Sequence, residues 1–306
     1  MADAPLVSVI TPFLDEAAYL EDAIRSVVAQ RHAAWELLLV DDGSTDASGE
    51  IARRWAASDP ERIRHLTHPG GVNLGRNASR NLGLREARGE LIAFLDADDV
   101  FLPFKLEHQV ALLQGQPHAG LVFGRFLHWH SPSLPPDRIQ PDFVSPLPAA
   151  PGTVLEPPDA LRALLRDEDT HPANCAMLVR AALCREIGGF EDDLDLYEDT
   201  VFLAKAYLRT RVLVSGDCSA VYRLRPDSTC FRAEATGEYR PDGTSPARRA
   251  YLEWLERHLA EQGIADGELR AALRRELRPY RQPTRHALER AARRPLRRAR
   301  RLALRR

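Results

Sequence analysis

Asp96, Asp98 and Asp99 place three carboxylates within four residues, directly after the apolar run Leu91-Ile92-Ala93-Phe94-Leu95. Such a cluster repels itself unless solvent or a cation screens it. Hard oxygen ligands of this kind suit Mg2+ or Mn2+, ions that also bind phosphate oxygens. Alternate carboxylates at a strand end can reach the same side, one toward a metal and one toward a sugar or ribose hydroxyl. By itself an acidic loop is more often a helix cap or a solvated turn, but its place behind a buried strand favours the ligand reading.

Asp41-Asp42-Gly43-Ser44-Thr45-Asp46 follows the run Leu37-Leu38-Leu39-Val40 in the same way. A carboxylate there can accept from a nucleobase N–H, and Gly43 permits close backbone approach. Capping by Ser44 or Asp46 accounts for about half of the segment. Glu198-Asp199 opens a helical stretch. The plain explanation is a favourable interaction with the helix dipole. A carboxylate aimed across a cleft could also serve as a general base. His128 and His130 flank Trp129 at i and i+2, one face of a strand. An exposed strand end beside a cleft explains them more simply than a metal or stacking site.

The elements that must position these groups are read from apolar spacing. Val7 to Ile10 reads as a buried strand that stops at Pro12. Leu20, Ile24, Val27 and Val28 mark one helix face. Leu37–Val40, Ile63–Leu66 and Leu91–Leu95 read as further strands. Helices carry Ile51 and Trp55 and span Asn77 to Arg88, with Gly89 suited to the C-cap. Strand and helix therefore alternate, and the strands are uniformly apolar. That predicts a mostly parallel sheet covered by helices on both faces. Ligands of such sheets sit beyond the carboxyl ends of the strands, where both acidic clusters fall. From Ser131 to Pro158 nine prolines interrupt the pattern, which predicts a linker or a loop ordered on binding. Helices resume at Ala160–Leu165, Ala181–Ile187 and Glu198–Leu208, with strands at Val212–Val214 and Ala220–Tyr222.

Composition bounds the classes. With 306 residues, 44% of them hydrophobic, the chain has ample core. Four scattered cysteines, Cys175, Cys184, Cys218 and Cys230, argue against a disulfide scaffold or a CxxC zinc site and read as simple thiols. No apolar run approaches the roughly 18 residues of a spanning helix. The start, Met1 to Pro5, lacks a basic region followed by an apolar stretch, which predicts a cytoplasmic protein in a reducing setting. From Arg270 to Arg306 the chain carries 15 Arg against 2 Glu, a net of +13, so the remainder holds −15 of the overall −2. Between Arg285 and Arg306 a thin stripe of Leu288, Ala292, Leu296, Ala299 and Ala303 runs along an otherwise cationic segment. This predicts peripheral contact with an anionic membrane, at the inner face of the cell membrane, ahead of docking on an acidic protein surface. Nucleic acid is not expected.

Five segments together resemble glycosyltransferase family 2: VSVITPFLDEAAYLEDAIRSVVAQ, WELLLVDDGSTDAS, NLGRNASRNLGLREARGELIAFLDADD, REIGGFEDDLDLYEDTVFLAKA and VYRLRPDS, in order from Val7 to Ser228. The resemblance implies a GT-A fold, a Rossmann-like α/β sheet flanked by helices, here with a helical, Arg-rich C-terminal extension. Residues 1–105 would form the nucleotide-sugar half, 106–235 the acceptor and catalytic-base half, and 236–306 the extension. It implies inverting transfer from a nucleoside-diphosphate sugar, usually UDP-linked, to a carbohydrate or lipid-linked acceptor with a divalent metal, Mn2+ or Mg2+. The setting would be bacterial cell-surface polysaccharide or glycolipid synthesis, and the transferred group a hexose or N-acetylhexosamine.

Carried over by position, Thr11, Pro12, Glu16, Asp42, Arg80, Asp96 and Arg225 would line the nucleotide-sugar site, with Asp42 accepting from the base. Asp98 would bind the metal with Asp96 beside it. Asp199 matches the catalytic base, with Glu198 as its fallback. Asp15 stands where Asn is usual. Arg225 stands where many relatives have His, and a protonated guanidinium cannot ligate a cation but can pair with phosphate. The competing readings are a catalytically inactive nucleotide-sugar-binding subunit and a sugar-1-phosphate nucleotidyltransferase. The latter would be expected to show a Gly-rich basic loop after its first strand, where this chain has Thr11 to Glu16. A missing G-x-G-x-x-G there excludes a Rossmann dehydrogenase.

Overall fold

The computed structural model describes residues 4–130, 134, 140–192, 194, 196–240 and 244–284. The chain divides into two units, Met1–Arg232 and Ala233–Arg306. In the first, the apolar runs become strands β1 (Val7–Phe13), β2 (Trp35–Asp41), β3 (Ile63–Thr67), β4 (Leu91–Phe94), β5 (Val100–Phe101), β6 (Ala119–His130), β7 (Phe143–Val144), β8 (Val154–Leu155), β9 (Met177–Arg180) and β10 (Arg211–Leu224). Between them lie helices α1 (Leu20–Val28), α2 (Ser48–Ser58), α3 (Arg76–Glu86), α4 (Lys105–Gly115), α5 (Asp159–Arg166), α6 (Ala181–Glu186) and α7 (Glu198–Tyr207). Helix α8 (Thr229–Thr236) follows, and α9 (Pro246–Glu261) and α10 (Gly267–Arg281) belong to the second unit.

The strands form one sheet in the order β3-β2-β1-β4-β9-β6-β10-β5, with β7 on β6 and β8 on β10. β3, β2, β1 and β4 are parallel, as expected from their uniform apolarity. β9 runs antiparallel between β4 and β6, while β10 lies parallel to β6. At β1 and β2 both sheet faces are dry: Val7, Val9, Ile10, Leu37, Leu38, Leu39 and Val40 are all fully buried.

Several elements depart from the sequence reading, each for a non-local reason. β1 does not stop at Pro12 but continues to Phe13. Val7 donates to Ala34 and Phe13 accepts from Asp42, so odd residues bond toward β2. Ile10 accepts from Leu95, so even residues face β4, which ends at Phe94. The missing N–H of Pro12 therefore meets no ladder partner. The two short strands expected at 212–214 and 220–222 are one strand, β10, with a register shift between Val214 and Cys218 that broke the apolar pattern. The proline-rich stretch holds β7 and β8, short pieces ordered by pairing with longer strands; its residues 131–133 and 135–139 lie outside those described. Gly89 is not a C-cap, since Ala87 occupies that place. A Cβ on Gly89 would stand 2.7 Å from Leu6 O, so close strand packing demands glycine there. Val28, at the end of α1, is 40% exposed rather than inward.

In the second unit α9 buries Tyr251, Leu252, Leu255 and Leu259, and α10 buries Leu269, Leu273 and Leu277. Ser245 and Asp266 cap them by accepting from Arg248 N and Leu269 N. The arginines of α10 pair with acids of α9 at Arg281 to Glu256, and Glu276 of α10 takes Arg248. The amphipathic stripe from Arg285 onward lies outside the described residues.

Candidate active site

The acidic loop leaves the carboxyl edge of the parallel strands, anchored by Leu95 N on Ile10 O and closed by Asp99 N on Asp96 O, both 3.0 Å. Arginine neutralises two of its carboxylates. Asp96 Oδ1 accepts from Arg80 Nη2 of α3 at 2.7 Å. Asp98 Oδ2 accepts from Arg225 Nε, just past β10, at 2.7 Å. Asp99 Oδ1 accepts from the Arg223 backbone N at 3.0 Å, and the Cys175 thiol also interacts with the Asp99 carboxyl. Burial pulls all three carboxyls upward. Around Asp96 burial is the largest single influence, but the Arg80 charge and hydrogen bond, with Arg76 and Asn174, together outweigh it and leave the group below the usual range. Around Asp98 burial prevails over Arg225. Asp99 rises furthest, through burial and then the neighbouring Asp98 and Asp96 charges.

Arg80 is 1% exposed, lies 5.1 Å from the Phe190 ring, and donates through Nη1 to Glu198 Oε1 at 3.2 Å. One guanidinium thus ties the acidic loop to the first turn of α7, across 118 residues of chain. Arg76 adds a second contact to Glu198 Oε1 at 3.3 Å. Burial and then the Asp199 charge push the Glu198 carboxyl up. Asp199 is less buried and turns to its own helix end, where Oδ1 accepts from Thr200 N at 2.6 Å. Tyr197, directly before the pair, holds φ at +66°, a left-handed conformation that is uncommon outside glycine and typical of functional sites. Glu198 is thus committed to two arginines, and of the two acids Asp199 has the freer carboxylate.

Arg225 meets three carboxylates. Besides Asp98, Nη1 pairs with Asp227 Oδ2 at 2.8 Å and Nη2 donates to Glu16 Oε1. Tyr19 covers its face at 5.0 Å. Glu16 Oε2 is buried without a partner, and burial pushes the Glu16 carboxyl up to about 7 against the opposing pull of Arg225. Arg223 is held separately. Its Nε donates to Asp98 O, its Nη2 to Asp22, and its guanidinium lies 4.9 Å from Tyr19 and 4.5 Å from Trp129.

On the other side, at the ends of β1 and β2, Thr11 Oγ1 is buried and unpaired. Pro12 faces Val40 in register. Asp42 accepts from Leu74 N at 2.9 Å and from Gly75 N at 3.0 Å, so it fastens the loop that enters α3. Gly43, at φ +88°, has Asn73 N only 2.9 Å from the place of a Cβ. Asp15 adopts φ +55°, and its Oδ1 accepts from Thr45 N and Asp46 N. Acceptor-only duty is why Asp serves there as well as Asn.

Sequence reasoning overlooked Arg76, Tyr19, Asp22 and Arg223, because the pairing that recruits them is tertiary, and it also overlooked the local partner Asp227, two residues beyond Arg225. Only the density of Arg around position 225 hinted at it. The histidines of β6 lie against structural neighbours: His128 stacks on Phe143 at 4.1 Å, and the His130 ring lies 6.2 Å from Phe143 with Nδ1 3.5 Å from Asp142 Oδ1. All four cysteines are free thiols. Among the described residues no three His, Cys, Asp or Glu side chains gather as a metal site.

An acidic loop on the carboxyl edge of this sheet, facing a carboxylate helix, defines a GT-A glycosyltransferase fold. The family model for glycosyl transferase family 2 matches residues 8–188, and the chain belongs to that family. EpsE of Bacillus subtilis is 34% identical over 240 residues, 76% of this chain and 77% of its own length. TuaG of the same organism, which carries a teichuronic acid biosynthesis name, is 42% identical over 109 residues, 36% of this chain. The chain spans less than half of the length of several curated relatives, 42% for TuaG. Among solved structures, Staphylococcus aureus TarS with UDP superposes with TM-score 0.58 at 20% identity, over 83% of this chain and 72% of its own. The mannosyltransferase PcManGT from Pyrobaculum calidifontis, solved with GDP-Man and Mn2+, gives 0.59 at 21% identity, over 95% and 76%. These two likenesses show the fold. No described helix is long and apolar enough to cross a membrane.

Proposed function

We propose that this chain transfers a hexosyl or N-acetylhexosaminyl group, with inversion, from a UDP-linked sugar to an acceptor hydroxyl in bacterial cell-surface polysaccharide or glycolipid synthesis. The observation that carries this is the buried Arg80, bonded at once to Asp96 and Glu198. It sets the donor-side loop and the helix bearing Asp199 at a constant separation, which is the positioning that displacement at an anomeric carbon needs.

In this reading Thr11 and Pro12 flank the nucleobase, and the unpaired Thr11 hydroxyl takes a hydrogen bond from or to the nucleotide. Asp42 holds the base-side loop and offers its remaining lone pair to the base N–H. Asp96 orients the ribose and donor sugar. Asp199 removes the acceptor proton as the hydroxyl attacks from the face opposite the diphosphate, a role worth about 10² to 10⁴ in rate. Glu198, bound to Arg80 and Arg76, positions Asp199.

A divalent cation fits in one form. Asp98 is a hard carboxylate at the sheet edge with Arg225 on one oxygen, and Glu16 Oε2 lies buried and unpaired nearby. Asp98 would hold Mn2+ or Mg2+, the remaining ligands being diphosphate and water. When bound, the ion would neutralise charge on the departing diphosphate.

Hydrolysis of UDP-, GDP- and dTDP-sugars, with and without Mn2+, tests the assignment. Turnover of one nucleotide series is expected. Binding without any turnover would instead favour an inactive nucleotide-sugar-binding subunit. The chain's +13 C-terminal segment supports peripheral attachment at the inner face of the cell membrane. Full-length protein should sediment with anionic but not neutral vesicles, and less so as salt rises.

A further inference from the structure

We propose that Arg225 is a built-in competitor of the divalent cation at Asp98, and that the donor diphosphate displaces it, so that cation and nucleotide bind cooperatively. The inference rests on the nucleotide-sugar reading above. The guanidinium already has three carboxylate partners, one per nitrogen: Asp98 at Nε, Asp227 at Nη1 and Glu16 at Nη2. It cannot give up its proton and cannot ligate a metal. A cation approaching Asp98 therefore meets a positive charge bonded to the same carboxylate. The two compete for Oδ2, and each raises the electrostatic cost of the other.

The surroundings are those of a group that can be handed on. Arg225 follows the last residue of β10, so no ladder fixes its backbone. Asp227, on its outer side, has a side chain 61% exposed and can rehydrate when the pair opens. Glu16 keeps one buried oxygen without a partner, so the cluster is not closed on itself. Arg223 two residues earlier is a fixed cation, pinned by the Asp98 carbonyl, Asp22 and two aromatic rings. A diphosphate supplies what Arg225 would lose, paired oxygens in the bidentate geometry that guanidinium prefers. It also supplies the cation's remaining ligands. Donor binding thus turns two competitors into neighbours on one polyanion. By thermodynamic reciprocity, the nucleotide then tightens the cation as much as the cation tightens the nucleotide.

Calorimetry and Mn2+ electron paramagnetic resonance on the full-length chain decide the matter, with Mn2+ and UDP as probes. Saturating UDP should tighten Mn2+ binding to the wild type by roughly 5- to 150-fold. Without nucleotide, Arg225→Gln and Arg225→Ala should bind Mn2+ at least about tenfold more tightly than the wild type, and their UDP coupling should shrink toward one. Equal Mn2+ affinity of wild type and both variants without UDP would overturn the proposal. So would a wild-type coupling factor near one, a measurement that needs no variant to fold. Failure of the underlying reading looks different: no UDP, GDP or dTDP binds the wild type at all. The Mn2+-only comparison still separates competition from none in that case.

Discussion

Arg80 and Arg225 hold carboxylates of the same acidic loop in opposite ways. The Arg80 side chain is 2% exposed, sits on a helix, and joins two distant elements through Asp96 and Glu198. Arg225 sits on coil, touches three acids, and one of those, Asp227, faces solvent. Partner number does not separate a fastening from a movable contact. What separates them is whether the partners can find water when the arginine leaves. Around Arg80 the Glu198 carboxylate cannot, so loss of the cation strands a buried charge. Around Arg225 part of the cluster can.

The largest effect should come from breaking the Arg80 contact. Arg80→Ala is expected to destabilise by about 3–5 kcal/mol in chemical denaturation, the usual penalty for orphaning one side of a buried pair. A loss below about 1 kcal/mol would show that Arg76 alone satisfies Glu198.

Next comes a change that leaves both arginines in place. Asp199→Asn should lower transfer by about 10² to 10⁴ while donor affinity by calorimetry stays near wild type. If donor affinity collapses as well, Asp199 belongs to binding rather than to proton transfer.

Arg225→Ala should destabilise by only about 1–2 kcal/mol, since Asp98 and Glu16 keep partial access to water and Asp227 rehydrates. Unfolding curves of the two arginine variants, side by side, give the comparison its number.

An effect of similar size serves as a control away from both arginines. Burial, then the neighbouring His130 and His171, lowers His128 to about 4. The unfolded chain binds that proton below about 6.5, so the native state loses stability as pH falls from there toward 4. With screening at this half-buried site the loss is about 1–2 kcal/mol. His128→Phe, which retains the stack on Phe143, should flatten the melting temperature across that window.

Much of the donor half was legible from residue order. The strand-and-helix alternation and the two acidic clusters at strand ends appear where apolar spacing put them. Less of the second half was legible. β10 read as two strands because its bulge interrupts the apolar run, and β7 and β8 escaped notice because two residues carry no period. Pro12 looked like a strand end because its unbonded side depends on where β4 stops.

The sequence by itself therefore determined the elements and the chemistry at their ends, because apolar periodicity, turn residues and charge clusters act over a few neighbouring positions. Tertiary structure alone decided the partners. Arg80 reaches Glu198 across 118 residues and Arg225 reaches Glu16 across 209. The segments around Arg80 and Arg225 singled out both, but nothing local in the chain names the distant acid that each one meets. Whether a guanidinium is locked or movable depends on burial and on its partners' access to water, and those exist only once the sheet has brought the strand ends together.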